Sequence, residues 1–177
     1  MFEKFTEKAI NAVTEAQEQA KLMKNVRVQP EHLLLALVKQ AKGISLKLFR
    51  TYGVTLEEVQ KAVEAKLRFE KTDKKVKVIA FGDDFKDLLK KTLDLASKSG
   101  NQYVLFEHLF LAVIGDKSSY NHRILEQFDF DVYKSKEILQ KLVQKKTKRL
   151  SHPEVEETKE NETTYLTADF VFEGADA

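Results

Sequence analysis

The sequence predicts an all-α protein of about eight helices, arranged as two pseudo-symmetric units of four. Three observations carry that expectation. The segment Pro30–Val38 (P-E-H-L-L-L-A-L-V) returns 76 positions later as Phe106–Ile114 (F-E-H-L-F-L-A-V-I). Apolar residues elsewhere recur in steps of three and four, the period of one helix face. The register also holds without a gap: residues 5–63 align with 81–139, with identities at Phe5/Phe81, Ala20/Ala96, Asn25/Asn101, Val28/Val104, Glu31/Glu107, His32/His108 and Ala36/Ala112. Chance seldom keeps such a register over 59 positions, so the chain is an internal duplication. Two related units packed together predict a pseudo-twofold axis and a groove between them.

Phe5, Ala9, Ala12, Val13, Ala16 and Ala20 place a first helix over 5–23, with Thr6 as its N-cap. After a short loop, Asn25–Gln29, the apolar run of the duplicated segment predicts a helix buried on every side. Pro30 suits its first turn, where a missing N–H loses nothing. Glu31 stands where free N–H groups and the helix dipole favour a carboxylate. Gly43 is read as the end of this helix. Ile44, Leu48, Phe49 and Tyr52 give a third helix, stopped at Gly53. Thr55 with Glu58 predicts a capping box for a fourth, whose Leu56, Val59, Ala62, Val63 and Leu67 turn inward.

Residues 69–80 are rich in lysine and break the helical pattern. They read as a linker, with Val76, Val78 and Ile79 packing on the bundle. The cycle then restarts. Phe81, Phe85, Leu88, Leu89, Thr92 and Ala96 give a fifth helix, 101–105 repeats the loop, and the second E-H helix follows. Tyr120, Ile124, Leu125 and Phe128 mark the seventh. Asp131 caps an eighth that carries Val132, Ile138, Leu139, Leu142 and Val143. The expected organisation is therefore 1–68, a linker 69–80, 81–147, and a tail 148–177. The helical pattern fades from Lys145, and the polar, acid-rich stretch after it predicts disorder. Tyr165, Leu166, Phe170, Val171 and Phe172 restore apolar character near the end, as a segment that docks on the body or serves recognition.

Of 30 basic and 28 acidic residues, one base (Lys159) and eight acids fall in 151–177. The first 150 residues are left with a net charge of +9, against +2 for the chain. The bases are spread over many helix faces, with no aromatic cluster among them, so nucleic acid is not an expected partner. With 42% hydrophobic residues, the chain has enough apolar surface for a real core. It has no cysteine, which excludes disulfides, thiol nucleophiles and thiolate metal sites. The start lacks the apolar core of a signal peptide. No apolar run approaches the length of a membrane span, and the expected location is the cytoplasm, or an organelle stroma after processing.

Catalytic motifs are missing. None of the six glycines builds a phosphate loop or a dinucleotide-binding turn. None of His32, His108, His122 and His152 pairs with another at helical zinc spacing. His32 and His108 could share a metal only by meeting across the twofold. The favoured reading is a core histidine donating to a backbone carbonyl, because a site needs convergent partners. Asp83 and Asp84 open a helix, where capping explains them. No catalytic residue, metal or cofactor is expected.

The F-T-E-K-A of residues 5–9 and the paired E-H helices resemble the Clp N-terminal domain. This is the double Clp repeat that precedes the ATPase modules of the ClpA, ClpB and ClpC unfoldases. The resemblance covers roughly residues 1–145. It implies a non-catalytic module that receives unfolded protein substrates and adaptor proteins for a Clp ATPase ring. The alternatives are a stand-alone Clp-repeat regulator that binds the Clp protease core, and the N-terminal fragment of a Clp chaperone ATPase. There are departures: Gln29-Pro30 and Leu105-Phe106 stand where ClpC-type members have G-T, Phe81-Gly82 replaces F-T, and Ser118-Ser119-Tyr120 replaces glycines.

The resemblance also implies binding positions. In ClpC-type relatives the glutamate of each E-H motif helps bind the guanidinium of a phosphorylated arginine, and those glutamates are Glu31 and Glu107 here. The loops 25–29 and 101–105 are expected to offer backbone donors to the phosphate. The plainer reading is that both glutamates only stabilise their helix starts, by about 0.3–1 kcal/mol each. In ClpB-like relatives the surface near Thr6, Phe85 and Glu107 receives apolar segments, which makes Phe85 a partly exposed anchor in the groove.

Overall fold

A computed structural model describes residues 1–150. The described residues form eight α-helices and no strand: α1 (Glu7–Leu22), α2 (Pro30–Gln40), α3 (Gly43–Thr51), α4 (Leu56–Lys66), α5 (Asp83–Lys98), α6 (Phe106–Gly115), α7 (Tyr120–Glu126) and α8 (Val132–Leu150). None is long and apolar enough to cross a membrane. The tail from residue 151, with its expected disorder and its apolar segment 165–172, lies outside the described residues.

The centre of each unit is its E-H helix. Leu33, Leu34, Leu35, Ala36 and Leu37 of α2 are fully buried, and in α6 every residue from Phe106 to Ile114 is buried. Burial on all sides is what the unbroken apolar runs predict. Phe49 of α3 stacks on Phe110 of α6, with ring centroids 4.7 Å apart and planes 10° apart. Phe130 lies 4.9 Å from Tyr52 and 6.2 Å from Phe49. The two units thus share one aromatic core.

The duplication is also written in the backbone. Thr6 N–H donates to Val104 O (3.0 Å) and Val104 N–H to Lys4 O (2.8 Å). In the register-equivalent exchange, Gly82 N–H donates to Val28 O (2.8 Å) and Val28 N–H to Ala80 O (2.9 Å). Each unit's helix entrance is therefore pinned by the other unit's loop. Phe5, Phe2, Phe81 and Phe85 form a chain of rings beside these exchanges, with successive centroids 4.9–6.2 Å apart.

Most caps follow the sequence. Thr6 Oγ1 accepts from Ala9 N–H (3.3 Å), Thr55 Oγ1 from Glu58 N–H (3.3 Å) and Asp131 Oδ1 from Lys134 N–H (2.9 Å). Three expectations are corrected. Gly43 opens α3 at φ +58 rather than closing α2, which ends at Gln40. Of the linker's apolar residues, Ile79 is buried but Val76 is exposed, because only the stretch joining Val28 is drawn against the bundle. The basic run Lys145–Arg149 is the last part of α8, since lysine and arginine are good helix formers and suit a helix C-terminus.

Candidate functional site

The histidines of the E-H motifs are structural. His32 Nδ1 accepts the N–H of its N-cap residue Gln29 (2.9 Å), as a Glu or Gln would in a capping box. That leaves the proton on Nε2, which donates to Asn25 Oδ1 (2.9 Å). Asn25 Nδ2 in turn donates to the carbonyls of Leu67 and Glu70 (3.0 and 3.2 Å), which ties α2 to the end of α4. In the second unit His108 Nδ1 accepts from Leu105 N–H (2.9 Å), and the Asn101 amide lies 3.3 Å from Nε2. Asn101 also meets Thr147 of α8, whose hydroxyl donates to Val143 O (2.7 Å). The expected partner, a backbone carbonyl, is thus replaced by an asparagine. Each ring is occupied within its own unit, and no shared metal site forms between them. Burial pushes both imidazoles down to about 4, so they are neutral at physiological pH.

The four expected binding residues do not share one surface. Thr6 is buried as a cap and as a donor to the other unit. Phe85 is fully buried against Phe81, so it is not a partly exposed anchor. The reason is the reciprocal exchange, which draws the start of α5 onto the first unit. Glu107 is sealed: Lys146 of α8 holds its Oε2 at 3.0 Å, and Oε1 is buried without a hydrogen-bond partner. Glu31 alone opens on the space between the units.

That space is a groove of about 430 Å³ with mixed charge. Glu31, Asp84, Asp87 and Asp116 line it together with Lys66, Lys91 and Arg123. Burial raises the Glu31 carboxyl above its usual value; Lys66 opposes the rise, and Glu70 and Asp84 add to it. Lys66 Nζ also lies over the Tyr120 ring, 5.3 Å from its centroid. Asn121 Nδ2 donates to Pro30 O (2.9 Å), while Asn121 Oδ1 is buried without a partner. Ser119 caps α7, and Ser118 donates twice to Asp116 Oδ1, which holds the Asp116 carboxyl below its usual range. The Ser118-Ser119 departure therefore builds one wall of the groove.

The expected backbone donors are largely spent. The amides of Asn25, Val26, Val28 and Gln29 donate to Ala20 O, Glu70 O, Ala80 O and His32 Nδ1. Those of Asn101, Val104 and Leu105 go to Ala96 O, Lys4 O and His108 Nδ1. Cations can come instead from Lys66, Lys91 and Arg123, none of which the motifs singled out. Asp84, Asp87 and Lys91 lie on one face of α5, so a helical wheel could have found them. Lys66 and Arg123 enter only through the packing of the units.

A duplicated helical unit with a charged groove between its two halves defines a class of protein. Residues 4–128 and 80–172 match the family model of the Clp repeat (R) N-terminal domain, and the chain belongs to this family. An ATP-dependent Clp protease ATP-binding subunit, the ClpA homolog of Guillardia theta, is 32% identical over 145 residues. That match covers 76% of this chain and 16% of the relative. The negative regulator of genetic competence ClpC/MecB of Bacillus subtilis is 30% identical over 137 residues, 77% of this chain and 17% of its own. The chain thus spans about a sixth of the length of these relatives.

Among solved structures, the N-terminal domain of the chaperone ClpD from Arabidopsis thaliana superposes with a TM-score of 0.66 at 21% identity, over 81% of this chain and 96% of that one. The Hsp104 N-terminal domain from Candida albicans gives 0.65 at 22%, over 79% and 91%. A ClpV N-domain in complex with a VipB peptide gives 0.58 at 16%, over 78% and 88%. These likenesses show the same fold.

Proposed function

We propose that the chain is a non-catalytic docking module of the Clp unfoldase and protease system. It receives segments of adaptors or unfolded substrates for a Clp ATPase. Membership of the Clp-repeat family supports this reading, and the mixed-charge groove around Glu31 is the observation that carries it. The ClpV N-domain solved with a VipB peptide shows that this fold accommodates a peptide ligand in that relative.

Within the groove, Glu31 is the glutamate that contacts ligand, and Glu107 stabilises its own helix start with Lys146. A phosphorylated arginine combines a guanidinium with a phosphate. Glu31 and Asp84 suit the first, in a bidentate pair, and Lys66, Lys91 and Arg123 suit the second. Calorimetry on the full chain tests this with phosphoarginine and, separately, an unfolded model protein. Binding of phosphoarginine that is lost in Glu31→Gln and Arg123→Ala, and kept in Glu107→Gln, is the expected result. Equal loss in Glu107→Gln would return the site to both motifs. If neither ligand binds the wild type, docking of substrates is wrong, and binding to the protease core takes its place.

A further inference from the structure

The two units are not equally closed. In the second, a groove of about 840 Å³ runs between α5 and α8, floored by Leu95, Leu111, Ala112 and Val143. The register-equivalent groove between α1 and α4 is smaller, about 590 Å³. There the floor positions Leu35 and Ala36 are wholly buried, whereas Leu111 and Ala112 retain 6% and 5% exposure. The sequence explains the difference. Met23, Lys39 and Leu67 of the first unit become Ser99, Gly115 and Val143 in the second, and each exchange removes side-chain volume. Glu15 also closes its end of the first groove by accepting from Gln19, Lys39 and Gln40. Its counterpart is Lys91, which pairs with Asp116 (3.5 Å) and forms the wall towards the inter-unit groove.

The second groove has an apolar floor and a rim that is basic on balance, with Lys91, Lys98, Lys136 and Lys148 against Asp94 and Asp116. We propose that its occupant is the chain's own segment 151–177, held in cis. Three observations select it. First, α8 forms one wall and lines the groove as far as Lys148, so the segment from residue 151 starts beside the groove itself. Second, the segment carries eight acids against one base, and it brings Tyr165, Leu166, Phe170, Val171 and Phe172 to an apolar floor with a rim basic on balance. Third, the polar stretch 151–164 spans up to about 46–50 Å when extended, while the 16-residue α5 is only about 24 Å long. The apolar residues therefore reach any point of the channel. Tethering raises the local concentration of so close a segment into the millimolar range, so weak contacts suffice.

The absence of cysteine makes the test clean. A nitroxide is attached to Gly174→Cys in the full chain, and amide broadening is read on the folded body. Broadening confined to 94–99, 111–115 and 140–147 is expected, with none at 19–23 and 60–65. It should be lost in Lys98→Glu/Lys136→Glu and in Phe170→Ser/Phe172→Ser, and weakened by salt. Lys98 and Lys136 are exposed, so their reversal leaves the amide spectrum of the core in place as a folding control. Absent or uniform broadening overturns the proposal. So does broadening that survives when labelled chains are mixed with isotope-labelled, spin-free chains, because the occupant would then be a second copy.

Discussion

Lys146 Nζ sits 3.0 Å from the buried carboxylate of Glu107, and the register position of Lys146 in the first unit holds Glu70. The duplicated glutamates therefore live in different fields. Glu107 is held by a cation at 3.0 Å, whereas at Glu31 the pull of Lys66 is opposed by Glu70 and Asp84, and burial raises the carboxyl. Removing one member of a buried pair strands the other, typically at about 3–5 kcal/mol. Lys146→Met should fall at the low end of that range, because its side chain keeps 16% exposure. Adding Glu107→Gln should recover most of the loss. Glu31→Gln should be near neutral. Urea melts of the four proteins at pH 7 check this, and a Glu31→Gln loss equal to that of Lys146→Met would deny the asymmetry.

Left-handed backbone positions are duplicated as well. Lys24 (φ +57) corresponds to Gly100 (φ +71), and Asp129 (φ +54) to Gly53 (φ +70). A left-handed residue with a Cβ costs roughly 1–2 kcal/mol, and Asp tolerates it better than Lys. Glycine relieves that strain but loses more entropy on folding. Lys24→Gly should therefore stabilise by about 0.5–1 kcal/mol and Asp129→Gly by less. Both side chains are exposed, so no packing is lost. A drop in the melting midpoint for Lys24→Gly would show that its backbone carries no strain.

The fold was legible because apolar period, caps and the internal register all agreed. Leu33, Leu35 and Leu109 are fully buried, as their place on the duplicated helix required. The site was less legible. Phe85 looked like a groove residue by likeness, but its burial depends on the crossed pairing of Val28 with Gly82, which no local pattern announces. Gly82 itself makes sense only in three dimensions. A Cβ there would meet Gln29 Oε1 at 2.6 Å, and Gln29 Nε2 is bonded to Glu70 (3.0 Å). At the register-equivalent contact, Leu105 of the second unit takes the place of Gln29, and Thr6 of the first takes that of Gly82.

Acid should unfold this protein through its E-H histidines. In the folded state both titrate near 4, against 6.5 when free. The depressed value means that the unfolded chain binds protons first as pH falls. Their stabilisation is complete above about 6.5 and is lost as pH drops from there through 4, up to about 3 kcal/mol for each ring. Glu31 acts oppositely: its raised carboxyl favours the folded state at low pH and gives that up as pH rises past the ordinary carboxylate range. The histidines outnumber it, so stability should fall between pH 6.5 and 4. Urea midpoints across that window check this, and the slope should flatten in His108→Gln.

The unequal grooves predict unequal core mutants. Leu35 is wholly enclosed, and truncating it leaves a cavity that the packed α2 cannot collapse. Leu35→Ala should cost about 2–5 kcal/mol, in the upper half of that range. Leu111 holds the same register position but forms part of the floor of the α5–α8 groove. A truncation there widens an existing channel instead of opening a closed void, so water or a neighbouring side chain can occupy the space. The cavity part of the cost is then reduced, and Leu111→Ala should fall in the lower half of the range. The comparison is sound only if both variants keep the wild-type urea m-value, since a change in m would mean altered compactness. Equal or reversed costs would mean that the second groove is as tightly closed as the first, and that its additional volume does not reach the floor.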